Sequence, residues 1–417
     1  MRTITQCRSC QSVDLISVLD LGNLHLSAFL DAGDSVPKYP LELVLCSRCA
    51  LVQLRDTVPA DEMYRNYWYR SGTNHSMTQE LRDIARAATL ALGKDKFVAL
   101  DIGCNDGTLL RAYDVARVRT IGFEPAKNLI QYAEKGVDVV VNDFFNAKAW
   151  LTRVTAELKA DIVTSIAMFY DLDDPNKFVG DVAEVMADDG VWVIQMADLK
   201  SMLDRNMWDN ICHEHLEYYS LIALENLLGK HGFYVADVQQ NDVNGGSIRA
   251  FVKKMPGASS DAVIAMRQAE LADNLDTVAP YAAFNGRVQG LCDELVRFVH
   301  GAVADGKRVY AYGASTKGNT LLQYTGLDFR FIAAAAERNP DKWGKLTVGT
   351  QIPIISEEQA RADRPDYFLV LPWHFRAEFL EREREYLESG GSFIFPLPEF
   401  QVVSDPSAIG VGRARAG

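Results

Sequence analysis

No apolar run in this chain approaches the roughly 20 residues needed to cross a bilayer, so a membrane-spanning helix is not expected. The opening Met1-Arg-Thr-Ile-Thr-Gln-Cys7 has no apolar core of the kind a secretory signal carries, and the chain is expected to stay in the cytosol. Positive charge is in short supply. There are 43 Lys and Arg against 56 Asp and Glu, a net charge of −13, which is the wrong balance for a surface that neutralises nucleic-acid phosphates. A local basic pocket for one small phosphate ligand survives that count. Cysteine is also sparse: seven in 417 residues of a cytosolic chain do not suggest a disulfide framework. The length implies two or three domains, and no repeat of fixed period is present.

Four of the seven cysteines stand in two pairs, Cys7-Arg-Ser-Cys10 and Cys46-Ser-Arg-Cys49. Two such knuckles bring four thiolates together at the spacing of a tetrahedral Zn²⁺ site. Four sulfurs leave no open position for water, so the metal is expected to be structural. Free thiols or a redox pair are the plainer alternatives.

Between residues 97 and 196 the chain alternates short apolar runs with helical patterns. The runs are Phe97–Asp101, Thr120–Glu124, Val137–Asn142, Asp161–Ile166 and Val191–Met196, preceded by a helix near Met77–Leu92. That alternation predicts a parallel sheet covered on both faces. The first run ends in Asp101-Ile-Gly103-Cys-Asn105-Asp-Gly107, where glycine lets backbone approach a ligand closely. The spacing is not that of G-x-G-x-x-G. Glu124, after the second run, is placed for a ribose diol, and Asp143, after the third, for an adenine amine. Asp101, Gly103, Asn105, Gly107, Glu124 and Asp143 are therefore the candidate site for S-adenosylmethionine, with a generic nucleotide-binding domain as the alternative.

Two His, two Glu and two Tyr crowd into Cys212-His213-Glu214-His215-Leu-Glu217-Tyr218-Tyr219. Histidine suits proton transfer near neutrality, and a neighbouring carboxylate can orient it. The H-E-H order is not H-E-x-x-H, so no catalytic metal is implied; a polar surface loop is the bland alternative. Asn244-Gly-Gly-Ser-Ile-Arg249 reads as a turn that exposes N–H groups beside an anion-pairing arginine, or as a plain hairpin turn. A long helical stretch is expected from about Ser259 to Ala304. A second α/β series then follows, with strands at Arg308–Ala311, Phe331–Ala335, Asp366–Leu371 and Ser392–Phe395. Within it, Gly313-Ala-Ser315-Thr316-Lys317-Gly-Asn319-Thr320 opens a helix and offers amides, hydroxyls and an ammonium to an anion, or is a well-capped helix. It lacks P-loop spacing, so a diphosphate held without cleavage fits better than hydrolysis. The aromatic group Tyr64, Tyr67, Trp68 and Tyr69 either lines a pocket or packs on the sheet.

Taken together, the doubled Cys pairs, Tyr67-Trp-Tyr69-Arg70-Ser71, Asp101–Gly107, His213-Glu-His215, Tyr218-Tyr219-Ser220, Gly245–Arg249 and Tyr312–Thr320 make nearly the whole chain resemble the nucleotide-sugar C-methyltransferases. The resemblance implies an α/β protein in three parts. These are a zinc-binding domain (1–75), a Rossmann-like class I methyltransferase domain (76–255), and a helical connector with a second Rossmann-like domain that helps hold the nucleotide (256–417). It implies that the 4-keto group of a dTDP-linked deoxysugar acidifies the C3 proton, that His215 removes it with Glu214 in support, and that the enolate takes the methyl group. His213 and Tyr218 join them as candidate catalytic residues. Tyr67, Tyr69, Arg70, Cys212, Tyr219, Arg249, Ser315, Thr316, Lys317 and Asn319 are the candidate substrate contacts. The expected partner is the nucleotide sugar, with neither nucleic acid nor membrane, in a monomer or homodimer. Cys212 stands where the family carries Tyr, and Ser165-Ile-Ala-Met168-Phe-Tyr170 departs from the family run after the fourth strand. O- or N-methylation of another acceptor is the second reading, and a zinc-knuckle binding module the third.

Overall fold

A computed structural model describes residues 1–59, 63, 69–154 and 157–405. The chain divides into two compact units, each discontinuous in sequence. The first is Met1–Ile16, Val44–Lys200 and Leu216–Val278; the second is Ser17–Leu43, Ser201–His215 and Ala279–Gly417.

The first unit is built on seven strands: Phe97–Ile102 (β1), Val118–Phe123 (β2), Val139–Val141 (β3), Ala160–Ile166 (β4), Met186–Ala197 (β5), Phe233–Asn241 (β6) and Ser247–Lys254 (β7). Their order across the sheet is β6-β7-β5-β4-β1-β2-β3. The five from β1 to β5 pair in parallel, and the β6–β7 hairpin joins β5 antiparallel. The apolar runs form this sheet because both of its faces are covered. On one face lies helix α1 (His75–Leu92), capped by the Asn74 side chain on the Met77 N–H and ended by Gly93 at φ 71°. It buries Leu81, Ile84, Ala85 and Ala88, one stripe at helical spacing, against Phe97, Ile162 and Val193. On the other face Phe123, Phe145, Phe169, Phe178 and Trp192 pack ring edge to ring face, with helix α2 (Pro175–Val185) above them. Cys7, Cys46, Cys49 and Leu51 belong to the same buried cluster.

Helix α3 (Leu221–Leu228) is held at its start by Glu270 of helix α4 (Asp261–Ala272). The Glu270 carboxylate accepts from the N–H groups of Leu221 (2.7 Å) and Ile222 (2.9 Å) and is fully buried. The expected single helix from Ser259 to Ala304 is two: α4 and α5 (Ala279–Ala304), broken where Asn274 turns left-handed at φ 55°.

The second unit carries six strands: Val309–Tyr312 (β8), Ala335–Glu337 (β9), Ile354–Ser356 (β10), Tyr367–Val370 (β11), Ser392–Phe395 (β12) and Gln401–Val403 (β13). Their order is β10-β9-β8-β11-β12-β13, parallel except for the last. Strand β9 begins at Ala335, four residues later than the apolar run from Phe331 suggests, because Asp328–Ile332 closes a turn first. Helix α6 (Thr316–Thr325) follows β8 and is capped by Ser315 on the Gly318 N–H. Among the described residues no helix is long and apolar enough to cross a membrane.

Candidate active site

In the first unit, the turn after β1 places Gly103, Asn105 and Gly107 at φ 74°, 52° and 78°. Its φ favours glycine at Gly107, and a Cβ there would also meet the Ala133 carbonyl oxygen at a tight 3.1 Å. Glu124, just past β2, braces the turn: its carboxylate accepts from the N–H groups of Asn105 (2.8 Å) and Ala126 (2.7 Å). Each of its oxygens keeps a further lone pair, which suits a ribose hydroxyl. Asp101 lies beneath and accepts from the Thr164 hydroxyl at 2.6 Å. Burial pushes both carboxyls up to about 7, with the Glu124 charge adding to the effect on Asp101. Two buried acids that feel no lysine or arginine among the described residues fit a cationic ligand, and S-adenosylmethionine brings a sulfonium and an ammonium. The Tyr69–Gly72 segment is bonded onto this turn. Ser71 N–H donates to Asn105 Oδ1 (3.0 Å), Gly72 N–H to Asp106 Oδ2 (2.8 Å), and Asn105 Nδ2 to the Tyr69 carbonyl (3.1 Å).

The sulfurs of Cys7, Cys10, Cys46 and Cys49 all lie within 4.8 Å of one another. Cys7 and Cys49 are 3.6 Å apart and Cys10 and Cys46 3.4 Å, close to the edge of about 3.8 Å of a tetrahedron with Zn–S bonds of about 2.3 Å. Without an ion the Cys7–Cys49 pair shares a proton: the sulfur–sulfur hydrogen bond brings Cys7 down to about 5 and drives Cys49 up. A second ionisation there needs a cation, which is what a dication supplies. Gln53 Nε2 donates to Cys7 Sγ at 3.2 Å and its Oε1 accepts from the Arg8 N–H, an outer hydrogen bond of the sort that orients metal ligands.

In the second unit the His-Glu-His segment meets the start of α6. His215 Nδ1 is 2.8 Å from the Asn210 carbonyl, so Nδ1 carries the proton and Nε2 is left as the basic nitrogen. Burial, and after it the Lys317 charge, hold His215 down at about 3, so its imidazole is neutral. Lys317 is itself depressed by burial, against the pull of Asp209 and Cys212. Asp209 is pushed up by burial and accepts from Trp373 Nε1 at 2.9 Å. Glu214 is likewise raised by burial. His213 Nε2 lies 3.1 Å from the Tyr39 carbonyl.

The chain matches three family models: a zinc binding domain over residues 7–64, a methyltransferase domain over 59–238, and a C-methyltransferase C-terminal domain over 242–398. It is 33% identical to the C-methyltransferase NovU of Streptomyces niveus, over 98% of this chain and 99% of that one. The chain belongs to the C-methyltransferase family. Among solved structures, an S-adenosylmethionine-dependent methyltransferase from Clostridium acetobutylicum aligns with 12% identity and a TM-score of 0.35, over 43% of this chain and 92% of that one. The plantazolicin methyltransferase BpumL, in complex with a pentazolic desmethylPZN analog and SAH, aligns with 12% identity and a TM-score of 0.34, over 42% and 84%.

This C-methyltransferase uses S-adenosylmethionine as donor, and its four paired cysteines hold a structural zinc ion. The remaining candidates fall in both units. Arg249, on β7, is already engaged: Nη2 donates to Glu80 (2.6 Å), Nε to Gln195 (2.7 Å) and Nη1 to Gln239 (3.3 Å). Tyr218 lies in a short strand, Glu217–Tyr218, paired with Val52–Leu54, and Tyr219 packs against Phe169. Arg70 stacks over the Tyr132 ring at 4.4 Å. Asp143 pairs with Arg153 at 3.2 Å and accepts from the Phe144 N–H. Tyr67, with Tyr64 and Trp68, lies outside the described residues. In the second unit Ser315 spends its hydroxyl on the Gly318 N–H, while Thr316 accepts from Ser27 through its carbonyl. Asn319 is 1% exposed and its Nδ2 has no hydrogen-bond partner among the described residues.

One residue of the second cluster, His374, escapes motif reading, while Asp209 heads the His-Glu-His segment with no role read for it. His374 sits in Pro372-Trp-His-Phe375, just past the end of β11. Ligands gather at the carboxyl ends of parallel strands, and that is the one signal that marks it in the sequence.

Proposed function

We propose that this C-methyltransferase methylates the carbon beside the ketone of a nucleotide-linked 4-keto-deoxysugar, a dTDP sugar in the first instance, through a base-generated enolate. The observation that carries this reading is His215, a neutral imidazole whose tautomer is set by the Asn210 carbonyl and which lies in the field of the Lys317 ammonium. Carbon beside a ketone is no nucleophile until it loses a proton, so a base is needed, and the oxyanion that forms needs a positive partner. His215 Nε2 supplies the base and Lys317 the positive charge. An imidazole held down at about 3 is a feeble base, but an anionic acceptor lying against Lys317 offsets that ammonium and restores basicity to His215. Glu214, neutral or charged, remains beside the base as its support. S-adenosylmethionine provides a methyl group already activated as a sulfonium, so the chain's own work is to generate and align the carbanion.

His215→Asn keeps the hydrogen bond to Asn210 but removes the basic nitrogen. Turnover should fall at least about 10³-fold while S-adenosylmethionine affinity stays within about twofold, measured by mass spectrometry of product and by calorimetry. In deuterated buffer the wild-type protein should exchange the hydrogen next to the ketone and the variant should not. Retained exchange in the variant removes His215 as the base, and a methyl group found on oxygen removes the enolate route.

A further inference from the structure

The glycines of the Gly313–Thr320 motif have a use that the sequence does not announce. A Cβ on Gly313 would strike Pro372 Cδ at 2.9 Å, and one on Gly318 would strike Leu371 Cδ1 at 2.7 Å. The two glycines therefore let the segment after β11 press against the first turn of α6. That segment continues into Trp373 and His374. Trp373 is tied by its indole N–H to Asp209 (2.9 Å), two residues before Ile211 and six before His215. His374 is thereby delivered to the same neighbourhood as Lys317, whose charge acts on both imidazoles.

Three buried polar atoms of this neighbourhood have no hydrogen-bond partner among the described residues: His374 Nδ1, Asn319 Nδ2 and Asp209 Oδ1. Asn319 is 1% exposed and Asp209 2%. A buried polar atom left unpaired costs about 1–3 kcal/mol; His374 Nδ1 and Asp209 Oδ1, brought together through Trp373, point to a ligand that satisfies them, and Asn319 Nδ2 is a third open atom on the same helix start. Asn319 Nδ2 can only donate. Lys317 adds a charged donor, and the cap residue Ser315 has already turned its hydroxyl to the helix. The helix start thus offers donors and positive charge to an oxyanion, whereas Asp209 Oδ1 offers an acceptor to a hydroxyl. One molecule that carries both is a sugar esterified to a diphosphate.

Resting on the function proposed above, we propose that His374 is a further acceptor-binding residue, donating from Nδ1 to a phosphoryl oxygen of the nucleotide sugar held by Lys317 and Asn319. The charged and titratable groups around it are Lys317 and, beyond that ammonium, Asp209, Cys212 and His215. Arg376, on the following helix, is turned onto the Phe395 ring. Burial and then Lys317 hold His374 down at about 3 in the free protein. A phosphoryl anion therefore raises it, and binding takes up protons below neutrality.

The test uses the full zinc-loaded protein with dTDP and, separately, inorganic pyrophosphate as probes in calorimetry at pH 6 in two buffers of different ionisation enthalpy. Wild type should bind dTDP with net proton uptake. His374→Phe keeps a ring and loses both nitrogens; it should bind dTDP about 10–100-fold more weakly with reduced proton uptake, at unchanged S-adenosylmethionine affinity. His374→Asn puts a polar atom near Nδ1 and should recover most of the affinity without the proton uptake. Equal dTDP affinity and equal proton uptake in wild type and His374→Phe overturn the role of His374 alone and leave the nucleotide-sugar reading standing. A wild-type protein that binds neither dTDP nor pyrophosphate overturns both. Weak binding in His374→Phe that His374→Asn does not recover, with S-adenosylmethionine affinity lost as well, reduces His374 to a packing residue and also overturns the proposal.

Discussion

Asp101→Asn should make the ligand-free protein more stable and a poorer binder of its donor. In the native state burial lifts this carboxyl from 3.8 to about 7. Between those values the folded protein holds a proton that the unfolded chain has released, so stability falls as pH rises and the loss is complete above about pH 7. At about 1.4 kcal/mol for each tenfold change in acidity, the full ionisation penalty is about 4 kcal/mol. Asparagine keeps an oxygen for the Thr164 hydroxyl, which now donates at 2.6 Å, and has nothing to ionise. Relaxation around the charge takes some of the penalty away, and about 2 kcal/mol is the least the reasoning requires at pH 8. For a unit of this size that is a rise in melting temperature of about 4–8 °C. The gain should fall to less than half by pH 5 and vanish only below about pH 4, where the unfolded chain holds the proton as well. Glu124, also lifted to about 7, remains, so the variant's profile is flattened and not flat. The assay is scanning calorimetry of donor-free, zinc-loaded protein from pH 5 to 8, with S-adenosylmethionine titrations in parallel. Affinity should drop about tenfold or more, since a hydrogen bond to a charged group is worth about 1.5–3 kcal/mol. A variant less stable than wild type by the same amount at every pH would refute the burial argument.

Glu270→Ala leaves the N–H groups of Leu221 and Ile222 without their acceptor in a fully buried place and should cost about 2–5 kcal/mol in urea unfolding, with Glu270→Gln recovering part. Stripping zinc with a strong chelator should make four further thiols reactive to a disulfide reagent, those of Cys7, Cys10, Cys46 and Cys49, and lower the melting temperature. An unchanged thiol count after chelation would dismiss the metal site.

Much of the fold was legible because it rests on local signals. Strands β1, β2, β4 and β5 coincide with apolar runs, since a parallel strand buried on both faces must be apolar along its length. Strand β3 shrank to Val139–Val141 at the edge of the sheet, where β2 is its one neighbour among the described residues. The paired cysteines declare their own geometry by spacing. What stayed hidden was carried by long-range partners. Nothing around Glu270 says that it caps a helix nearly 50 positions earlier. Trp373 and Asp209 are 164 residues apart, and nothing local to either names the other. The pairing of Arg249 with Glu80 cannot be read from the arginine's own strand, because Glu80 lies across the unit. The partners of the His-Glu-His segment were hidden for the same reason, because they are the segment after β11 and the start of α6.

That last arrangement has a consequence for the order in which the protein comes to life. Residues 201–215 are made midway through translation, yet the body they pack into is completed by residues 279 onward. Ribosomes add about 5–20 residues per second, so the segment bearing His213, Glu214 and His215 spends about 10–40 s of synthesis before the last of its companions emerges. Early in that interval the sheet β1 to β7 is completed with Lys254, while His215 still has no Lys317 beside it and Asp209 no Trp373 to tie it down. The sheet of the first unit can therefore be complete on the nascent chain before the surroundings of His215 are, and a polypeptide that stops short of β11 would carry that sheet with the His-Glu-His segment unsupported.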